Sequence, residues 1–182
     1  MARLAPLDPT KLTEEQKKVW DAIAGRRGEV PGPMQLLLRS PELADKAQAL
    51  GQFVRWSKAL GPRLNELAIC VVARHWGSQI EWAGHSKAAL EAGVSEENLR
   101  AIAERRPPNF TKPDEQVVYE FTRTVLETHK VPEDLYQRIL ATLGEQGLVE
   151  LVGAIGFYDL IAVLLATFDV QLPAGRKAEL PE

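Results

Sequence analysis

The chain is predicted to be all-α, a bundle of about eight helices. Apolar residues recur at helical spacing in segment after segment, no period-2 run of any length appears, and capping or breaking residues bound each segment. Short loops between the segments fit one helical domain over residues 13–170, with an N-terminal arm at 1–12 and a tail at 171–182.

Each element has its own signal. The arm is marked by prolines and reads as extended. Thr13-Glu-Glu-Gln16 is a capping box: the threonine serves the Gln16 backbone and the glutamine reaches back. Its helix carries Val19, Trp20 and Ile23 inward and is expected to stop near Gly25. Residues 26–33 hold two glycines and two prolines and read as a loop. Met34 to Leu38 follows as a short apolar turn. Ser40 with Pro41 opens a helix expected to run to about Ala59, with Leu43, Ala47, Leu50, Phe53 and Val54 facing inward. Gly61-Pro62 separates it from the next. That helix, to about Trp76, is apolar on two sides (Leu64, Leu67, Ala68, Ile69, Val71, Val72), the pattern of a buried helix. Gly77 breaks it and Ser78 is placed to cap a helix from Gln79 to Ala92, closed by Gly93. Ser95 opens a short helix. A longer one, from 112 to 129, carries Val117, Val118, Phe121, Val125 and Leu126. Pro132 opens another, Gly144 breaks it, and a strongly apolar last helix runs to about Phe168. The tail, rich in proline, glycine and charge, is expected to be loosely held.

Composition narrows the function classes. A net charge of −3 argues against a nucleic-acid partner, and the pairs Arg26–Arg27 and Arg105–Arg106 sit in loop-like stretches without a clustered basic face. The single cysteine, Cys70, permits no internal disulfide and is compatible with a reducing compartment. The N-terminal stretch lacks the apolar core of a signal peptide. The apolar run from Leu148 to Phe168 contains Glu150 and Asp159, so it reads as a buried helix, not a membrane span. A cytoplasmic protein with no membrane partner is the expectation.

The chemistry concentrates between Gly61 and Ala92. Arg63 and Glu66 stand at i,i+3 on one helix; Ser78, Glu81 and His85 stand at i, i+3 and i+7 on the next and share a face. His85 is a candidate general acid or base, or a helix histidine paired with Glu81. Glu66, set among apolar residues, must be paired, hydrogen-bonded or neutral if buried. It can transfer a proton, alone or with His85, or form an ion pair with Arg63 or with a basic residue elsewhere. Arg63 can grip a substrate carboxylate with two parallel hydrogen bonds or tie Glu66 in place. Glu81 can orient His85 or serve as the acid itself, and Ser78 can contact substrate or act only as a cap. Trp82, with Trp56, Trp76, Phe53, Met34, Leu37 and Phe157, can wall an apolar pocket or simply fill the core. Tyr158 and Asp159 interrupt the last apolar helix, and Asp159 can reach the same cavity or an oligomer interface. A metal site is not expected. Glu81-x-x-x-His85 with Glu66 gives three possible ligands, but the spacing differs from the Glu-x-x-His of ferritin-like sites and no second histidine motif exists.

Arg63-x-x-Glu66-Leu, Glu81-Trp82-x-x-His85 and the following Ala-Gly-Val-Ser together resemble the carboxymuconolactone decarboxylase and alkyl hydroperoxidase D-like superfamily. The resemblance extends over roughly residues 31–170 and implies the alkyl hydroperoxidase D-like helical bundle. Its peroxidase branch has Cys-x-x-Cys-x-x-x-His, with a glutamate twelve residues before the first cysteine. The matching glutamate here is Glu66 and the matching histidine His85, while Ser78 and Glu81 stand in the two cysteine positions. A dithiol peroxidase needs one thiolate to attack peroxide and a second thiol to resolve the sulfenic acid. Serine and glutamate do neither, so the peroxidase reading is disfavoured.

The resemblance therefore implies a cofactor-free lyase of the carboxymuconolactone decarboxylase type. It would act on a small carboxylated, lactone-like substrate by acid–base chemistry of His85, Glu66 and Glu81. Arg63, Ser78, Trp82, Phe53, Tyr158 and Asp159 would contact that substrate. A homo-oligomer, trimer or hexamer, is implied as well. The alternative is a non-catalytic member that binds a small molecule or serves as a scaffold, because fold alone does not fix function.

Overall fold

A computed structural model describes residues 2–173 and 175–181, and all side chains among them except those of residues 26 and 27. The side chains of the Arg26–Arg27 pair, Met1 of the arm, and Ala174 and Glu182 of the tail therefore lie outside the described residues. Among those described, eight α-helices and one short 3₁₀ turn (Pro9–Lys11) make up the chain, with no strand. The helices are α1 (Glu14–Arg27), α2 (Gly32–Leu37), α3 (Pro41–Arg55), α4 (Gly61–Trp76), α5 (Gln79–Glu91), α6 (Glu96–Ala103), α7 (Pro113–Thr128) and α8 (Glu133–Thr167).

The all-α expectation holds, and so do its main punctuation marks. Thr13 and Gln16 form the reciprocal capping box. Ser95 caps α6 through the Asn98 backbone. Gly77 and Gly93 take the left-handed backbone at the ends of α4 and α5. Gly144 stands at φ 66, ψ 175 inside α8 and kinks it, so the two expected helices follow one another across a bend.

Several boundaries differ from expectation, among them the end of α3, at Arg55 and not about Ala59. α1 runs through Gly25 and stops at Gly28, which adopts the left-handed C-cap that Gly25 was expected to supply. The apolar turn after the first loop is a short helix, α2. The tail expected to be loose is tied down at its end: Gln79 accepts the backbone N–H groups of Glu179 and Leu180, donates to the Leu180 carbonyl, and Leu180 is buried. The arm is tied as well, because Arg3 bonds through its backbone and side chain to the carbonyls of Phe168 and Thr167.

The α3 face also differs. Leu43, Leu50 and Phe53 are exposed, and the buried stripe is Ala44, Ala47, Gln48, Gly51 and Val54. The cause is a close approach. A Cβ at Gly51 would lie 2.4 Å from the Phe157 ring, so α8 packs against the smallest residue of α3. That contact fixes the helix's rotation and turns the larger side chains outward.

α4 is the centre of the bundle. Every residue from Leu64 to Arg74 is buried, and α5, α6, α7 and α8 all pack on it. α8 lies across α3, α4 and α7. By length and composition α8 could cross a membrane, but more than half of its most apolar window is buried inside the fold. Its charged residue Glu150 is satisfied there: it accepts from Ser57 Oγ and, at 2.7 Å, from Gln146. These hydrogen bonds hold its carboxyl below the usual range.

Candidate functional site

The site residues come from three helices. α4 contributes Glu66 from its buried first half, α5 contributes Glu81 and His85, and α8 contributes Tyr158 and Asp159. Gly77 makes the sharp α4–α5 connection possible, which sets the two helices side by side on each other.

His85 Nδ1 and Glu66 Oε2 lie 2.6 Å apart, with both side chains nearly buried. The His85 partner is thus Glu66, nineteen residues away, and not Glu81 on its own helix. The Tyr158 ring meets the imidazole edge to face, centroids 4.9 Å apart, and fixes its plane from the α8 side.

Glu81 behaves differently. It is buried, and its Oε2 has no hydrogen-bond partner. Burial pushes its carboxyl up to about 8, opposed by nearby Ser78 and reinforced by the charge of Asp159. Ser78 stands close enough to favour the carboxylate somewhat, yet its Oγ forms no hydrogen bond of good geometry and does not cap α5. The expected side-chain cap is therefore absent. At neutral pH Glu81 holds its proton.

The remaining candidates separate. Asp159 accepts from Trp76 Nε1 at 2.6 Å and adds its charge beside Glu81. Trp82 is buried in the core. Phe53 and Trp56 are exposed on and beside α3, with Arg55 over the Trp56 ring, so the tryptophans do not wall one common pocket. Arg63 does not tie Glu66: it donates to Asp114 at 2.6 and 3.3 Å and to Glu115 at 2.6 Å, joining α4 to α7. Cys70 is fully buried, and burial together with the Glu66 charge pushes its thiol well up. Among the described residues no group of three or more histidine, cysteine, aspartate or glutamate side chains is placed to hold a metal.

A cleft of about 300 Å³ opens where α4 ends, α5 begins and α8 finishes, lined by Trp76, Ser78, Ile80, Ala162, Leu165 and Leu172. It opens at the N-terminal turn of α5, along Ser78, Gln79 and Ile80. Sequence reading did not find the Trp76–Asp159 bond or the Asp114–Glu115 pair that takes Arg63. The only hint of the latter was an acidic pair in the first turn of α7.

The fold and this arrangement define an alkyl hydroperoxidase D-like helical protein. Part of the chain is similar in sequence to the carboxymuconolactone decarboxylase family, and Ser78 and Glu81 stand where the peroxidase branch has its paired cysteines. The model of the carboxymuconolactone decarboxylase family matches residues 41–117, the span from α3 to the start of α7. Among solved structures, the debrominase Bmp8, as a variant with one cysteine replaced by alanine and in complex with 2,3,4-tribromopyrrole, matches with TM-score 0.75. It is 15% identical over 96% of this chain and 95% of that one. A protein of unknown function from Agrobacterium tumefaciens, provisionally assigned as the antioxidant defence protein AhpD, matches with TM-score 0.66. It is 21% identical over 76% of this chain and 95% of that one. At these identities the likeness is one of fold. No curated protein matches the chain.

Proposed function

We propose that the chain is a cofactor-free acid–base lyase acting on a small carboxylated ring compound, with a lactone acid such as γ-carboxymuconolactone as the first substrate to test. The observation that carries this reading is the near-buried Glu66–His85 contact on one side of α5, with a protonated Glu81 one turn earlier. A carboxylate-held imidazole and a protonated carboxyl on neighbouring turns are the groups that acid–base chemistry needs.

In a decarboxylation the bond between the ring carbon and its carboxylate breaks, CO₂ leaves, and the electron pair passes into the conjugated carbonyl system. A proton must then reach carbon. Glu81 holds one at neutral pH, in a dry setting where a positioned donor is most effective. Glu66 fixes the imidazole of His85 through Nδ1, leaving Nε2 as the ring's other proton-carrying position. The small planar ring held by Bmp8 agrees in size class with such a substrate. Peroxidase chemistry is disfavoured by Ser78 and Glu81 in the two cysteine positions and by the inaccessible Cys70 thiol.

Turnover of γ-carboxymuconolactone, followed by CO₂ release for wild type and His85→Gln, tests the reading. Conversion by wild type alone supports it. Ligand-induced stabilisation with no conversion would instead make the chain a binding protein.

We further propose a homo-oligomer. α8 exposes Val149, Val152, Leu160 and Val163 at helical spacing, and α3, packed on α8, exposes Leu50 and Phe53. A second copy of the same chain is the occupant that such paired apolar ridges fit.

A further inference from the structure

We propose that a second cleft, between α4, α6 and α7, binds a small carboxylate with an apolar body, held by Arg74 and Arg105 and separate from the Glu66–His85 pair. The cleft has a volume of about 280 Å³. Its apolar walls come from Val71 on α4, Ile102 on α6, and Leu126 with the Tyr119 ring on α7.

The charges in it are unbalanced. Arg74 is more than nine-tenths buried, and its Nε is out of contact with water and has no hydrogen-bond partner. Among the described residues its one side-chain bond is from Nη1 to the Pro181 carbonyl at 3.0 Å. That is a dipole and does not neutralise a charge. Arg105 stands close enough to repel it: burial first, and then the Arg105 charge, pull the Arg74 guanidinium below its ordinary value. Arg123, also at the cleft, is paired with Glu127 at 2.8 Å and adds no net charge. Among the described residues neither Arg74 nor Arg105 has a carboxylate partner.

A structural role explains only part of this. Arg74 lies in the last turn of α4, where a cation meets exposed carbonyl groups favourably. That benefit belongs to any arginine near a helix end and does not require burial. A buried guanidinium with an orphaned N–H is costly unless an anion answers it. Arg105 reaches its place with a left-handed backbone, φ 56, a conformation that non-glycine residues rarely adopt. Two guanidinium groups at one cleft with aromatic and aliphatic walls recognise a carboxylate on a small apolar frame.

The test uses the full chain, with benzoate as the probe and benzamide and inorganic phosphate as controls, affinities being taken from thermal shift against concentration. Benzoate is expected to bind saturably, with benzamide and phosphate each about tenfold weaker or more, the loss that follows from one charge-assisted hydrogen bond. Arg105 is exposed, so Arg105→Met will fold, and it is expected to weaken benzoate about tenfold; Arg74→Met should do at least as much. The loss in Arg105→Met, a residue outside the Glu66–His85 pair, is what separates this cleft from the proposed catalytic site. Equal binding of benzamide or phosphate, or wild-type benzoate affinity in Arg105→Met, would each overturn the proposal.

Discussion

His85 on α5 and Glu66 on α4 meet at 2.6 Å inside the bundle, although nineteen residues separate them. The contact exists because α4 and α5 pack side by side after the Gly77 turn. It leaves the imidazole with one ring nitrogen committed and the other available. If the pair transfers or positions a proton, His85→Gln removes the titrating group and should lower turnover at least about a hundredfold. Glu66→Gln retains a side chain of the same size and should lower kcat while changing KM little. Circular dichroism should show unchanged helix content in both. Wild-type rates in His85→Gln would remove it from the mechanism.

Glu81 makes stability depend on pH, and the sign is fixed by its environment. Its carboxyl lies near the ordinary value of 4.5 in the unfolded chain and at about 8 in the fold. Between those values the folded state holds a proton that the unfolded state has lost. Stability is therefore greatest below the unfolded value and falls as pH rises to about 8, by up to about 5 kcal/mol. Glu81→Gln keeps the shape without the titration. The variant should melt above wild type at pH 8 and lose the advantage near pH 5. Parallel melting curves across that range would show that Glu81 titrates normally.

The helices, the Thr13 capping box and the central burial of α4 were legible in the sequence, because capping boxes, glycine breaks and apolar periodicity are local signals, although Ser40 and Ser78, also expected as caps, make no capping hydrogen bond. Which face of α3 turns inward was not. Leu43, Leu50 and Phe53 form as good an apolar stripe as the one actually buried, and the choice rests on a tertiary contact between Gly51 and Phe157. Gly51→Ala tests that contact. The added methyl meets the ring at 2.4 Å, and overpacking of this kind costs about 1–3 kcal/mol. Urea unfolding should show the loss, and Phe157→Leu in the same chain should restore part of it. A neutral or stabilising Gly51→Ala would mean that the ring moves freely.

The chemical stripe on α5 was legible for the same local reason, whereas its partners were not. Spacing placed Arg63 one turn from Glu66, and only the packing of α7 shows that Asp114 and Glu115 claim it. Arg63→Met should therefore act on stability. Glu115 is buried and would keep only Lys112, at 3.2 Å. Because Arg63 and Asp114 are partly exposed, the loss should be about 1–3 kcal/mol, below that for a fully buried pair. With a turnover assay in hand, KM should stay within about twofold of wild type. A large rise in KM at unchanged stability would return Arg63 to the role of substrate clamp.

The exposed ridge on α8 bears on assembly. Val149 is 71% exposed and Val152 53%, on a helix whose opposite face is the core. Isolated apolar residues on a surface need no explanation, but a row at helical spacing on α8, with Leu50 and Phe53 exposed on the α3 helix packed against it, is of the kind that associates. A charge placed in the middle of a self-complementary interface is repeated in every copy, so one substitution acts at least twice. Val152→Glu should shift the mass measured by light scattering at micromolar concentration from an oligomer to the 20.2 kDa chain. Since the side chain is outside the core, the variant should keep its helix content. Wild type that already runs as a monomer would show that the ridge has no second copy of the chain to cover it. An oligomer unchanged by Val152→Glu would place the interface on another face.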